Sequence, residues 1–565
     1  MTTLPRSLVF QDFLLIMIMA VLAGCGLIYE YLLSAYAGRI LGTVESTIYT
    51  MIGLMIVSMG LGAFAARAFK EPFTTFAWLE SLIAFFGVSC ILLIAMAVSF
   101  SAVLPRVIAE TFSLPPDLVP SGGLLEGLQS LAQLTPYLFG TIIGFFIGME
   151  IPLIARVREK VHGEHLEHNA GTIYGADYIG AGAGAAIWVT MMLSIDITKA
   201  AVITAAVNLI AGLVFLYFFW AKIKFRKALL AVHGLIVCLV CIIYMYGENW
   251  TVKMTDLLYE DEVVFSHSSR YQHFVVTERY LIDQTEPVYG FFINGRLQFS
   301  SNDEHIYHSM LVYPPMLVAN EQNRVLIIGG GDGLALRDVL RFEPKAVTLI
   351  DLDSELVNFF SEEGDMSEFR SDLIELNEYA FSDKRVSRIH GDAFIEVEKL
   401  VKEGVRFDVI IVDLPDPSHP DLDRMYTTYF YERLGNLLNK DGAMSVQSTS
   451  PYHAKRAFLS IGKTIRAAGF NQVEQYRQNI PSFGEWGWSL ATHGRTSSRR
   501  RLIDMDGVNM RDNQWLTIDL LVAAFEFPGD FFNELEQIEV NHLGQNRIYR
   551  YHDDAWHRDM GIYRD

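Results

Sequence analysis

Residues 329–333 read Gly-Gly-Gly-Asp-Gly, between the apolar run VLII and the segment LALRDVL. Glycines here let a backbone pass close to a nucleoside, and the start of the following helix favours hydrogen-bond acceptors. A dinucleotide fold asks for G-x-G-x-x-G. In this register Gly329 and Gly331 are followed by Leu334, so the third glycine is missing. The acid inside the turn, Asp332, would repel a pyrophosphate and welcome a cation. Asp351, ending the next apolar run AVTLI, is placed to accept from ribose hydroxyls. The chemistry is nucleoside binding beside a sulfonium or an amine.

Such residues need a scaffold that presents strand ends. RVLIIGGGDGLALRDVLRF reads as a buried strand, a glycine turn and a helix, and AVTLIDLDSELV as a second strand ending in acids. SRIHGDAFIEVEKL, FDVIIVDLPDP and GAMSVQSTS supply further strands with polar turns. Strands alternating with helices predict a parallel, doubly wound Rossmann-like α/β sheet of the S-adenosylmethionine type, with its ligand at the strand C-termini. Before it, FVVTERYLI and VYGFFINGRLQF alternate apolar and polar residues, and Asn294-Gly295 signals a type I′ hairpin. A small antiparallel β element over about 262–300 is expected.

The chain has 565 residues, 51% of them hydrophobic and 19% charged, with a mean hydropathy of +0.24 and a formal net charge of −20. The conflict between apolarity and acidity disappears when the chain is divided near residue 250: the first part has a net charge of −2, the remainder −18. An acidic balance excludes a nucleic-acid footprint, which needs basic residues against phosphates, and it suits cationic small molecules. All four cysteines, Cys25, Cys90, Cys238 and Cys241, lie in the apolar part, so no disulfide framework holds the acidic part. Cys238 and Cys241 sit inside LIVCLVCIIYMY and read as small membrane hydrophobes.

Seven segments of the first part carry roughly the 20 apolar residues that a span requires: about 10–37, 47–66, 78–104, 132–155, 171–195, 198–220 and 228–247. The prediction is an all-α bundle of multiple spans in a bilayer, with MGLGAFAA and YIGAGAGAA permitting close helix packing. The even-numbered loops hold most of the basic residues, which puts the N-terminus in the cytoplasm and, with seven spans, the acidic part outside. The count changes by one according to whether 105–130 or the glycine-rich fifth segment re-enters or crosses, which leaves the side of the acidic part open. Glu30, Glu150 and Asp177 fall within spans and read either as a carboxylate-lined path for a cationic amine or as packing carboxylates. His162, His165 and His168 recur at three-residue spacing in HGEHLEHN. A solvated loop is the plainer reading there, and no metal is expected.

The strings YQHFVV, NGRLQFSSNDEHIYHSMLVYPPM, VLIIGGGDGLALRDVL, HGDAF and VDLPDP occur in order. Together they resemble the spermidine synthase (polyamine aminopropyltransferase) family over roughly 262–495. GLIYEYLL, GMEIPL and YGADYIGAGAG are similar to the multispanning segment of bacterial membrane-bound homologues. The resemblance implies a bacterial inner-membrane enzyme that uses decarboxylated S-adenosylmethionine as co-substrate, without a prosthetic group. It also implies a homodimer. Because that donor is a cytosolic metabolite, a cytoplasmic catalytic domain is expected. The domains then run 1–250 for the membrane bundle, 251–320 for the β element, 321–500 for the α/β domain and 501–565 for a C-terminal extension.

Aminopropyl transfer is an SN2 attack by a neutral amine on the carbon beside a sulfonium, so a base must take the ammonium proton. The resemblance implies Asp413 as general base and Asp416 as its partner at the acceptor amine. It assigns Asp332 to the ammonium of the donor, Asp351 to the ribose and Asp392, with Ala393, to the adenine side. Gln272 and Gln298 match donor-pocket glutamines, with Gly329 and Gly331 beneath the nucleoside, and Tyr307 and His308 line the amine channel. Two departures concern the acceptor. Leu414 and Pro415 stand between the two acids where small hydroxylated residues are usual, and PSFGEWGW replaces the family's Y-P-S-G loop. Phe483 cannot hydrogen-bond, whereas Glu485 and the tryptophans are suited to a cation. Putrescine or a related amine is the expected acceptor. A methyltransferase, and a polyamine transporter or sensor with a non-catalytic domain, stand as alternatives.

Overall fold

The computed structural model describes residues 6–41, 44–112, 123–163, 168–281, 286–363, 367–505, 510 and 513–559. The chain forms two compact units, Met1–Arg270 and Tyr271–Asp565.

The first unit is helical: α1 (Arg6–Leu41), α2 (Val44–Ala65), α3 (Pro72–Thr111), α4 (Gly123–Gln133), α5 (Thr135–His162), α6 (Asn169–Thr190), α7 (Ile197–Phe218) and α8 (Arg226–Asp256), followed by strand β1 (Glu262–Ser268). Six of its segments are long and apolar enough to cross a membrane: Leu8–Gly38, Thr47–Ala68, Pro72–Ala109, Gly123–His162, Ile197–Phe218 and Arg226–Asp256. The fifth expected span forms α6, but its glycines, tyrosines and Asp177 dilute its apolarity, and it is not one of the six. Its small residues serve packing. A Cβ on Gly180 would overlap the Ala20 carbonyl of α1, and one on Gly148 of α5 would overlap that of Met59 in α2. Backbone-to-backbone approach of this kind is how helices associate where no water drives them together. Large apolar side chains such as Phe13, Phe64, Ile179 and Tyr217 face outward.

Within this unit Glu150 is buried with neither carboxylate oxygen hydrogen-bonded, while Glu30 and Asp177 are half-buried. A fourth acid, Glu80 of α3, is fully buried and accepts from Asn208 Nδ2 at 2.9 Å. His162 lies 3.1 Å from Asp12, which also binds Arg158 at 2.7 Å. It is thus committed to an ion-pair cluster, and His165 lies outside the described residues. Cys25 and Cys90 are buried, Cys238 and Cys241 exposed on the apolar surface.

The second unit begins with an antiparallel meander, β2 (His273–Arg279), β3 (Val288–Ile293) and β4 (Arg296–Ser300). The β3–β4 turn places Asn294 at φ 50° and Gly295 at φ 78°, the left-handed pair a type I′ hairpin requires. Helix α9 (Glu304–Val318) leads into a seven-stranded sheet ordered β10-β11-β9-β8-β5-β6-β7. Its members are β5 (Arg324–Gly329), β6 (Ala346–Asp351), β7 (Val386–His390), β8 (Phe407–Asp413), β9 (Leu438–Gln447), β10 (Gln472–Ile480) and β11 (Gly484–Thr492). Strands β5 to β9 are parallel, and β10 and β11 form an antiparallel hairpin at one edge. Helices α10 (Leu334–Leu340), α11 (Ser354–Phe359), α12 (Glu368–Leu376), α13 (Ala393–Lys402), α14 (Pro420–Asp423), α15 (Thr428–Leu437) and α16 (Lys455–Ala467) make the connections, and α17 (Ser498–Ile503), α18 (Ile518–Ala523) and α19 (Arg547–Asp559) complete the unit. Strands β5 and β8 are apolar almost throughout, as strands covered on both faces must be. The strand order reverses at β5, so the crevice for a ligand opens beyond the C-termini of β5 and β8.

Candidate active site

The glycine turn fills that crevice. Gly329, Gly330 and Gly333 have φ of 82°, 67° and 80°. Gly329 pairs in register with Asp413 on β8, and a Cβ there would overlap the Asp413 carbonyl. A Cβ on Gly330 would stand 3.4 Å from Asp413 Oδ2, and one on Gly331 2.8 Å from Asp351 Oδ2. The turn therefore threads between two carboxylates with no room for side chains. Asp332 caps α10, its Oδ1 accepting from Leu334 N at 2.9 Å. Burial pushes Asp332 above its ordinary value. Burial, with the charges of Asp353, Asp332 and Asp413 behind it, lifts Asp351 to about 7. Among the described residues none of Asp332, Asp351 and Asp413 forms an ion pair with a basic side chain. The crevice holds three acids that gain from an incoming cation or hydroxyl donor.

Asp413 lies at the end of β8 and accepts from Tyr307 Oη at 2.7 Å. Burial and the Asp332 charge raise it to about 6, against the opposing pull of His308 and the Tyr307 hydrogen bond. A carboxyl poised near 6 is ionised at neutral pH and a better proton acceptor than an exposed aspartate. The Tyr307 ring packs on Phe483 at 6.1 Å and on Trp488 at 5.5 Å, which fixes the phenol over the acid. His308, the next residue, is buried. Burial alone would depress it, but its Nδ1 donates to Glu304 at 2.8 Å, and that carboxylate carries it to about 9. Glu304 is held at about 2 despite burial, by His308 and by the two-pronged grip of Arg337 at 2.7 and 3.1 Å. His308 is thus a buried cation whose charge acts on Asp332 and Asp413.

Asp416 behaves differently although only Leu414 and Pro415 separate it from Asp413. Its Oδ1 accepts from Gln447 Nε2 at 2.7 Å and its Oδ2 lies 3.2 Å from His552 Nε2. Burial alone would raise it, yet these partners hold it below its ordinary value. The turn itself is tied down by Tyr426, whose hydroxyl donates to the Pro415 carbonyl at 2.9 Å. Asp392 caps α13 through Phe394 N at 3.0 Å and is ion-paired to Arg424 at 2.7 Å, so its second oxygen already has a partner. Ala393 is buried in the first turn of α13. Gln298 donates to the Arg296 carbonyl of its own strand at 3.0 Å, and Gln272 sits half-buried just before β2. Glu485, expected to meet a cation, is ion-paired with Arg477 across the β10–β11 hairpin. The structure therefore brings Gly329, Gly331, Asp332, Asp351, Tyr307, His308, Asp413 and Phe483 around one crevice and commits Asp392 and Glu485 to arginines. Trp515, in the C-terminal extension, meets His305 edge-on at 5.9 Å, and Phe525 packs on Tyr476 at 4.9 Å. Glu304, Arg337, Gln447, Tyr426 and His552 were not singled out by sequence reasoning. Glu304 carried a signal, being four residues before His308 on one helix face.

This is a doubly wound nucleoside-binding fold with an acid-lined switch point, and its relatives place it more closely. Residues 304–501 match the Spermine/spermidine synthase domain. A polyamine aminopropyltransferase of Shewanella oneidensis is 54% identical over 555 residues, covering 98% of this chain and 96% of that one. Polyamine aminopropyltransferase 1 of Streptomyces coelicolor is 30% identical over 551 residues, covering 96% and 94%. A crystal structure of a spermidine synthase with the transition state analogue AdoDATO is 24% identical at a TM-score of 0.41, covering 49% of this chain and 88% of that one. The chain belongs to the polyamine aminopropyltransferase family and is an aminopropyl-transferring enzyme. Its co-substrate is decarboxylated S-adenosylmethionine, consumed in the reaction and not resident as a prosthetic group.

Proposed function

We propose that this enzyme transfers the aminopropyl group of decarboxylated S-adenosylmethionine to putrescine or a related amine, releasing methylthioadenosine, with Asp413 as general base. The observation that carries the reading is the meeting of Asp332, Asp351 and Asp413 around one glycine turn without a basic partner. The donor's nucleoside lies over Gly329 and Gly331, its ribose hydroxyls donate to Asp351 and its ammonium to Asp332. The neutral acceptor nitrogen forms a bond to the carbon beside sulfur as the C–S bond breaks, and sulfur keeps the bonding pair as a neutral thioether. The proton that the acceptor ammonium must first lose goes to Asp413 Oδ2, since Oδ1 is held by Tyr307, and the product nitrogen leaves as a secondary ammonium. Asp416, held apart from Asp413 by Leu414 and Pro415, receives the remote ammonium of the acceptor.

The helical unit is embedded in the bacterial inner membrane, an assignment supported by six helices of sufficient length and apolarity. The catalytic unit lies in the cytoplasm, where its donor is made, and the enzyme is a homodimer. Purified protein given decarboxylated S-adenosylmethionine and a panel of amines should release methylthioadenosine. Turnover with S-adenosylmethionine alone would favour a methyltransferase. Protease treatment of spheroplasts should leave the catalytic unit intact.

A second reading rests on a separate observation, the buried carboxylates Glu80 and Glu150 with unpartnered oxygens. Synthesis would then be coupled to passage of amine through the bundle. Unchanged amine flux in vesicles after Glu80→Gln and Glu150→Gln would remove this reading.

A further inference from the structure

The match to the synthase domain ends at residue 501, yet the acceptor-end acid has a partner 136 residues along the chain, on α19. That helix is firmly seated. Ile548 is fully buried, Tyr549 N donates to Asp423 Oδ1 at 2.8 Å, and Arg547 N donates to Asn541 Oδ1 at 3.0 Å. Asn541 in turn donates to Asp423 Oδ2 at 2.8 Å, which anchors the extension to α14. One turn beyond Ile548, His552 is 2% exposed and sets Nε2 3.2 Å from Asp416 Oδ2. Trp556 Nε1 lies 3.1 Å from the same nitrogen. One ring nitrogen cannot both donate to the acid and accept from the indole, and the charged carboxylate is the stronger claimant for the proton. The Trp556 ring lies 5.8 Å under the Arg296 guanidinium of β4, whose charge also acts on Asp416.

We propose that α19 is part of the acceptor end of the site, with His552 as the positioning residue that, together with Gln447, fixes the Asp416 carboxylate for the remote ammonium of the amine. This rests on reading Asp416 as the acceptor-end acid. Gln447 takes one oxygen and His552 the other, each through a single donor, so the plane of the carboxylate is set from both sides. Each oxygen keeps a second lone pair for a further donor. Without His552 the carboxylate can rotate about its own bond, and the amine must spend binding energy to align it. The donor end has no contact with His552 and should not notice.

The test uses the full chain in detergent with decarboxylated S-adenosylmethionine as donor and putrescine as acceptor. His552→Ala should raise the acceptor KM by roughly tenfold to a hundredfold, the worth of one charge-assisted hydrogen bond, and leave the donor KM in place. His552→Gln, which returns an N–H donor near the position of Nε2, should recover much of the loss. Equal rises in both KM values, or a Gln variant no better than Ala, would overturn the proposal. Loss of the native melting transition in both variants would assign His552 to the core and overturn it too. An unaltered acceptor KM in both variants, with wild-type turnover intact, would reject the role of α19 alone. Absence of turnover with any amine in the wild type would instead remove the reading of Asp416 on which it stands.

Discussion

Two groups of carboxylates in the catalytic unit are built from the same residue types to opposite effect. At the start of α9, Glu304 is clamped by Arg337 and His308, and Arg337 is shared with Asp338 at 2.9 Å, all of them buried. Around the glycine turn Asp332, Asp351 and Asp413 are half-buried and have hydrogen bonds without counter-ions. Glu304 sits at about 2, whereas Asp413 is raised to about 6 and Asp351 to about 7. A paired buried acid contributes to the fold, whereas an unpaired one is a standing electrostatic cost that a cationic ligand relieves. The difference separates Glu304, held by counter-ions, from the three acids gathered around the glycine turn.

That division can be broken at either end. Asp413→Asn should lower kcat by roughly a hundredfold to ten-thousandfold, as expected for loss of a general base, while the melting temperature holds or rises. A fall in stability with unchanged kcat would put Asp413 among the structural acids. Glu304→Ala leaves His308 buried without its anion and Arg337 with Asp338 alone, and should destabilise the unit by about 3–5 kcal/mol in denaturant titration. The same group sets a pH window for stability. The part due to Glu304 is present above its ordinary value of 4.5 and lost as pH falls toward 2. The part due to His308 is present below 6.5 and lost as pH rises through about 9. Asp332→Asn should raise the donor KM roughly tenfold to a hundredfold and spare the acceptor KM, the signature of one lost charged contact. The smallest effect sharpens the assignment of the base. The acid limb of kcat/KM should have its midpoint near 6, and Tyr307→Phe, by deleting a hydrogen bond that favours the charged form, should move it upward.

Much of this was legible from the residues. The glycine turn with its Asp332, the acids that end β6 and β8, and the Asn294-Gly295 hairpin all rest on local rules, and each lies where its local rule puts it. Contacts that sequence distance hides were not legible. His552 reaches Asp416 across 136 residues, and nothing in the segment YRYHDDAW announces it. Glu485 read as a free acid because the hairpin register that sets it against Arg477 depends on where β10 and β11 turn. Asp392 lost its freedom to Arg424, a partner 32 residues away. Glu80 was overlooked inside LESLIAFF, where one acid barely disturbs an apolar run, yet it is among the most enclosed charges of the helical unit. Segment α6 shows the converse, since its glycines suit packing against α1 and by the same token weaken its claim as a span.

Gly329 has a consequence for how such a sequence can change. It touches Asp413 only through the backbone, its missing side chain leaving room for the carbonyl of the strand alongside. Its φ of 82° adds a second reason for glycine. A library of substitutions would therefore find position 329 almost closed. Two independent constraints, the neighbouring carbonyl and the residue's own backbone angle, thus close the same position.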